Sequence, residues 1–385
     1  MNDRHDAIPV PLDSRGKHIP ALDGVRGLAV LIVFVFHYGG GTHSSVKAMQ
    51  VFGFVNKGGW CGVVLFFVLS GFLITGILWD SFDDPGWWRK FVARRSLRIF
   101  PLYFLALALV VLAAIPGGTV GAVLHSVWIP GLFLEDVPGL NRISETIPSP
   151  LATFHLWSIA VEEQFYLLWP FLLLLAKSRG QAMKICLAVF VASFGFRAGV
   201  GVLHLRHDLW DKSLMSQAGA LALGGWLALA ARGAEWPRVL RWSPAICCAG
   251  AMGFLSTGVF SRDFNGAPMH LFGTAFASLL FTGLVALATG SGMVATALSA
   301  AWLRWLGRLS YGIYVYHVLL SHLFASISDR LAGARSPMMH NLVTLVCAAV
   351  LSLAAAYASF HLYERPFLKW KRMFATKPEA KAEIV

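Results

Sequence analysis

Arg26 and His37 stand eleven residues apart, in a stretch running from Leu22-Asp23-Gly24-Val25-Arg26-Gly27 to Phe36-His37-Tyr38. Eleven steps of about 100° return almost to the starting direction, so on one helix the two side chains share a face, about 16 Å apart along the axis. An imidazole can take a proton from a hydroxyl near neutral pH. A snorkelling anchor is the plainer role for Arg26, and a helix-end hydrogen bond for His37; their common face argues against both. The second set lies in Leu156–Pro170, where Glu162 and Glu163 open an otherwise apolar run. Ser158, Glu162 and Tyr166 recur every four residues and form one stripe, with Glu163 about 100° round the helix. Entering from the outer side, Glu162 falls roughly 10 Å below the edge, near the depth expected of His37. A carboxylate there can orient the ring and stabilise its imidazolium. The residues therefore suggest His37 as general base with Glu162 or Glu163, without choosing between them.

Arg89, Lys90, Arg94, Arg95 and Arg98 precede the third apolar segment, and Arg95 and Arg98 share a helical face. Guanidinium forks match phosphate oxygens, so with Arg26 these two could hold a phosphorylated ligand. Topology signalling or contact with anionic lipid headgroups is the alternative. Ser310, Tyr314 and His317 fall on another single face. Of these, Tyr314 and His317, with Ser158 and Tyr166, are candidates to line a substrate cavity, whereas Tyr311 reads as an interfacial belt residue. Ser70 and Gly71 read chiefly as a site of close helix packing. There is no glycine-rich phosphate loop, nucleophile elbow or multi-histidine metal pattern. The five cysteines lie in apolar stretches without ligand spacing.

These side chains must be positioned in a bilayer. Of 385 residues, 57% are hydrophobic and 14% charged, with a mean hydropathy of +0.63. A chain this poor in charge cannot cover a water-facing surface, which excludes an ordinary soluble enzyme, a disordered protein and a secreted disulfide scaffold. The net charge of +12 does not indicate nucleic acid, because the cations sit in short runs between apolar segments. The expected fold is an all-α polytopic membrane protein of about ten spans, near 22–40, 58–79, 99–115, 156–176, 183–203, 214–231, 244–260, 270–289, 309–328 and 341–363. Most of the 32 Lys and Arg then fall on one side, placing both termini in the cytoplasm. The first span reads as retained rather than cleaved. Val120–Leu134, broken by Pro130 and Gly131, suits a re-entrant or interfacial segment in the outer loop 116–155. The division expected is a cytoplasmic leader over 1–20, a membrane domain over 21–367 and a basic tail over 368–385.

Several stretches together resemble a known family. The Arg26–His37 spacing, FFVLSGFLIT (66–75), RRSLRIFPLY (94–103), WSIAVEEQFY (157–166), SYGIYVYH (310–317) and YERP (363–366) occur in that order. Together they are similar to the acyltransferase-3 family of integral membrane acyltransferases, from about 20 to 367. The resemblance implies transfer of an acyl group, usually acetyl from acetyl-CoA, to a hydroxyl of a sugar or cell-envelope glycan in a bacterial inner membrane. No metal is implied. Some members carry a fused extracytoplasmic domain; none is expected here, so the protein acts alone or hands the acyl group to a separate extracytoplasmic protein. In this reading Arg26, Arg95 and Arg98 hold the CoA phosphates, and a transient acyl-histidine is a variant mechanism. A proton-coupled transporter or flippase is the rival, since intramembrane His and Glu also serve carriers.

Overall fold

The computed structural model describes residues 19–40, 47–206, 208–264, 266–332 and 337–374. The leader before Ile19 and the tail beyond Phe374 lie outside them. Among the described residues there is no strand, and ten helices of 16 residues or more make the body. They are α1 (Pro20–Tyr38), α2 (Cys61–Ser81), α3 (Trp87–Ala113), α4 (Trp157–Leu174), α5 (Arg179–Val202), α6 (Leu214–Ala230), α7 (Trp236–Ser261), α8 (Thr274–Thr289), α9 (Ala301–Leu319) and α10 (Pro337–Ser359).

Eight of the ten belong to segments long and apolar enough to cross a membrane; α4 and α9 do not. Those two carry Glu162, Glu163 and Gln164, and Arg304, Arg308 and His317. An ionisable group facing hydrocarbon costs several kcal/mol, so such a helix must turn its polar side chains into the bundle. From Leu309 to Leu319, α9 is buried almost all round. On α4, Ser158–Val161, Tyr166 and Trp169 are buried, while Leu167, Leu168, Phe171 and Leu172 are exposed as a lipid-facing side.

Three boundaries differ from expectation. Helix α3 begins at Trp87 rather than near 99, so the cations from Arg89 to Arg98 lie within the third long helix and not ahead of it. Apolar residues within and just after the run give the helix a side to bury from its first turns; Phe91 and Ile99 are in the core. The ninth span ends at Leu319, and Ser321–Ala332 forms a separate helix. Val120–Leu134 breaks into two short helices, Val120–Ser126 and Trp128–Gly131.

Glycines set the two crossings that matter for the site. A Cβ on Gly307 of α9 would come 1.8 Å from the Asp23 carbonyl oxygen of α1, and one on Gly27 would come 2.1 Å from that of Leu303. The α2–α6 crossing is as close: a Cβ on Gly71 would lie 1.8 Å from the Leu221 oxygen. Such backbone approach is what small residues permit in lipid, and it bears out the packing role read for Gly71. Gly307→Val should destabilise the folded protein by at least about 3 kcal/mol, since a backbone cannot yield as a side chain does. Gly121, with nothing within 4 Å of an added Cβ, should accept alanine without loss. Thermal melting of the two variants in detergent checks both.

Candidate active site

Helices α1, α2, α3, α4 and α9 enclose a cavity of about 110 Å³. Its polar lining includes Arg26, Arg95, Arg98, Glu162, Tyr166, Ser158 and Tyr314. The four-residue stripe on α4 is present: Tyr166 donates its hydroxyl proton to Glu162 Oε2 at 2.9 Å. Ser70 Oγ also hydrogen-bonds Tyr166 Oη. Arg95 lies over the Tyr166 ring, 5.5 Å from its centroid, within cation–π range. Arg26 donates to Asp23 Oδ1 at 2.8 Å, one helical turn back. Three guanidiniums thus line a cavity into which Glu162 brings a single carboxylate, an excess of positive charge that favours an anionic guest.

One turn along α4 and α9, Ser158 Oγ and Tyr314 Oη meet at 2.5 Å. Both hydroxyls also reach the His155 carbonyl, at 3.3 and 3.1 Å. Beyond them the polar groups are histidines. His317 meets His37 edge to face, with ring centroids 5.0 Å apart at 81°, and His155 at 5.7 Å and 78°. His37 occupies the last turn of α1 and is exposed, whereas His155 and His317 are buried. Tyr38 donates to the His317 carbonyl and ties the two helix ends together.

His37 therefore has His317 beside it, and neither Glu162 nor Glu163 is among its partners. Counted from the helix ends in the sequence, Glu162 is near the depth of His37. In the structure Tyr314, level with Ser158, is one turn from His317, and Glu162 is a further turn away. Two turns of helix are about 11 Å, which groups Glu162 with the arginines. Glu163 points away from the cavity, and its Oε1 is buried without a partner. Arg26, Arg95, Arg98, Glu162, Tyr166, Ser158 and Tyr314 form one assembly, and His37 and His317 a second. Ser158, Tyr314 and His155 join the two.

Sequence reasoning passed over four participants. His155 carries no periodic signal because it precedes α4 in a loop; only its closeness to Trp157 and Ser158 marked it. Ser70, read as a packing residue, also bonds Tyr166. Tyr311, read as a belt residue, lines the cavity and donates to the Ile99 carbonyl at 2.8 Å. Glu135, between α3 and α4 and outside the cavity lining, is 3% exposed.

Glu135 also sets a pH dependence. Tyr103 Oη lies 2.6 Å from Glu135 Oε1 and 2.8 Å from the Pro130 carbonyl. A phenol has one proton, so both bonds are satisfied when the carboxyl is protonated and donates to the phenol. Burial pushes this carboxyl up from 4.5 to about 7. A raised carboxyl pKa contributes stability at low pH that is lost as pH rises from 4.5 through about 7. The wild type should lose melting temperature across that window, and Glu135→Gln should flatten the profile.

Among the described residues no group of His, Cys, Asp and Glu is placed to hold a metal ion. No solved structure matches the chain. Among curated proteins, peptidoglycan O-acetyltransferase OatA of Listeria monocytogenes is 27% identical over 381 residues, covering 92% of this chain and 56% of that protein. A putative peptidoglycan O-acetyltransferase of Bacillus subtilis, YrhL, is 27% identical over 374 residues, 91% of this chain and 55% of its own length. A putative O-acetyltransferase of Staphylococcus aureus is 25% identical and covered to 58%. The chain thus spans little more than half the length of these relatives. Residues 19–361 match the acyltransferase domain family, so the chain belongs to the acyltransferase-3 family.

Proposed function

We propose that the protein is a membrane-embedded O-acyltransferase that moves an acyl group, acetyl from acetyl-CoA, to a hydroxyl of a cell-envelope glycan. The observation that carries this reading is a polar path inside the bundle: a cavity lined by three arginines, Glu162, Tyr166 and the Ser158–Tyr314 hydroxyl pair, with His317 and the exposed His37 beyond it. The excess of basic residues in the loops places the arginine end and both termini in the cytoplasm, and His37 toward the outer face of a bacterial inner membrane. Names of relatives similar over nine-tenths of this chain support the acetyl group and the glycan.

Arg26, Arg95 and Arg98 hold the donor phosphates. The cavity these arginines line, about 110 Å³, is well below the several hundred Å³ of a whole-cofactor site; it takes only part of the donor, with phosphate oxygens at the arginines and the slender arm carrying the thioester past Ser158 and Tyr314 toward His37. Tyr166 and Glu162 position Arg95, and Ser158 and Tyr314 supply hydroxyls along the path. His37 holds one ring proton on the Val33 carbonyl through Nδ1 at 2.9 Å, which leaves Nε2 as the basic nitrogen. It removes the acceptor's hydroxyl proton as that oxygen attacks the thioester carbon. A carbon–oxygen bond forms, the carbon–sulfur bond breaks, and the proton leaves with the thiolate as free CoA. The acceptor is the glycan itself or a separate extracytoplasmic protein that passes the acyl group on.

Purified protein in detergent, given acetyl-CoA and an envelope glycan extract, should release CoA faster with the extract than without it. Folded protein that neither binds nor consumes acetyl-CoA would overturn the reading. A proton-coupled carrier, for which intramembrane His and Glu equally suit, would then take its place.

A further inference from the structure

His37 lacks the carboxylate that a catalytic imidazole commonly leans on, and the structure shows what stands there instead. His317 donates its Nδ1 proton to the Tyr314 carbonyl at 2.6 Å, which leaves a lone pair on Nε2. That nitrogen is buried and has no hydrogen-bond partner. His155 is arranged in the opposite sense. Its Nε2 proton goes to the Val315 carbonyl at 3.1 Å, and its Nδ1 is the buried nitrogen without a partner. Backbone carbonyls thus fix the tautomer of all three rings, and each keeps one nitrogen able to accept a proton. An unsatisfied buried nitrogen costs about 1–3 kcal/mol. Two such nitrogens behind one exposed imidazole call for an explanation that packing alone does not give.

We propose that His317 is a positioning residue for His37: it accepts, through Nε2, a share of the proton that His37 takes from the acceptor, and so stabilises the cationic form without a carboxylate. This rests on His37 being the base in the reading above. The proton leaves the acceptor hydroxyl for His37, is held by the His37–His317 pair while the carbon–sulfur bond breaks, and returns to the leaving thiolate, so nothing is consumed. The groups facing the pair are His155, Tyr314, Tyr38, Phe34 and Phe36. None of them carries a fixed charge, so no carboxylate or cation stands beside the pair, and a proton taken by one ring is felt by the other.

The variants that separate a proton-sharing role from packing are His317→Phe, which keeps a flat ring, and His317→Gln, which keeps a polar group of similar reach. Neither side chain can take up a proton at neutral pH. Rates of glycan-stimulated CoA release are read against pH, alongside size-exclusion behaviour. Because the base must be neutral to act, activity rises with pH through the pair's apparent pKa. Loss of the sharing partner lowers that affinity. Both variants should therefore lose at least about tenfold in kcat, leave KM for acetyl-CoA within about twofold, and move the acid limb to lower pH. A folded variant with the wild-type acid limb overturns the proposal, whatever its kcat. If Phe fails to fold, the Gln profile decides by the same criterion. Wild-type protein without CoA release would instead refute the acyltransferase reading itself.

Discussion

His37→Ala is expected to abolish glycan-dependent CoA release, with a fall in kcat of roughly 10³-fold, in the middle of the range for losing a general base. The variant should fold normally. His37 is exposed at the end of α1, and its hydrogen bond runs to Val33 of the same helix, so alanine leaves no buried partner stranded. KM for acetyl-CoA should change little, because the donor's phosphates are held at the other end of α1, about 16 Å away. This combination is specific. A role in helix packing would lower yield and melting temperature together with rate, and a role in donor binding would raise KM. Added imidazole should restore part of the lost rate, since the variant opens a space of that shape beside His317. Near-normal acetylation by a folded His37→Ala protein would remove the residue from the mechanism.

Replacing Arg95 and Arg98 together with alanine should raise KM for acetyl-CoA by roughly 10²-fold or more, taking about 1.5–3 kcal/mol for each hydrogen-bonded charge. Arg98→Lys should recover part of the loss but not all, because an ammonium keeps the charge and loses the fork that grips phosphate with two parallel bonds. Arg95 carries a second duty: its guanidinium lies over Tyr166, which bonds Glu162. Its single replacement should therefore lower kcat as well as raise KM, whereas Arg98 alone should act chiefly on KM. Isothermal titration with acetyl-CoA and with CoA separates the two effects. An unchanged KM and rate in the double variant would make these arginines topological signals only.

Much of this arrangement is legible in the sequence, and for identifiable reasons. The hydropathy of the apolar runs gives the helices. The four-residue spacing on α4 places Ser158, Glu162 and Tyr166 on one stripe, and all three line the cavity; on α9, Ser310 and Tyr314 line it too, while His317 lies outside the lining, beside His37. Local periodicity fixes which side of a helix a residue occupies. It carries no information on how far two helices slide past each other. That is why the sequence pairs His37 with Glu162 or Glu163: each depth is counted from its own helix end. The offset between α1 and α9 is set by Gly27 and Gly307, whose carbonyl contacts bring His37 beside His317. His155 escaped for a related reason. It sits in a loop, where no repeat predicts direction, and it is placed by its ring's bond to Val315 and by the Ser158 and Tyr314 hydroxyls on its carbonyl. The cations on α3 read from sequence as lying just ahead of the third span, with Arg95 and Arg98 on one helical face. In the structure the helix starts before them and continues through them, and Arg95 and Arg98 face a cavity inside the bundle.

The most direct test of the account follows the acyl group itself. Purified protein and its His37→Ala variant would be incubated with acetyl-CoA labelled in the acetyl group and with envelope glycan. Label recovered on glycan, and released by mild alkali as an ester is, would then be counted. The account predicts ester-linked label with the wild type, none above background with the variant, and equal binding of acetyl-CoA by both. Glycan labelled equally by both proteins, or acetyl-CoA left unbound and intact by folded wild type, would contradict it.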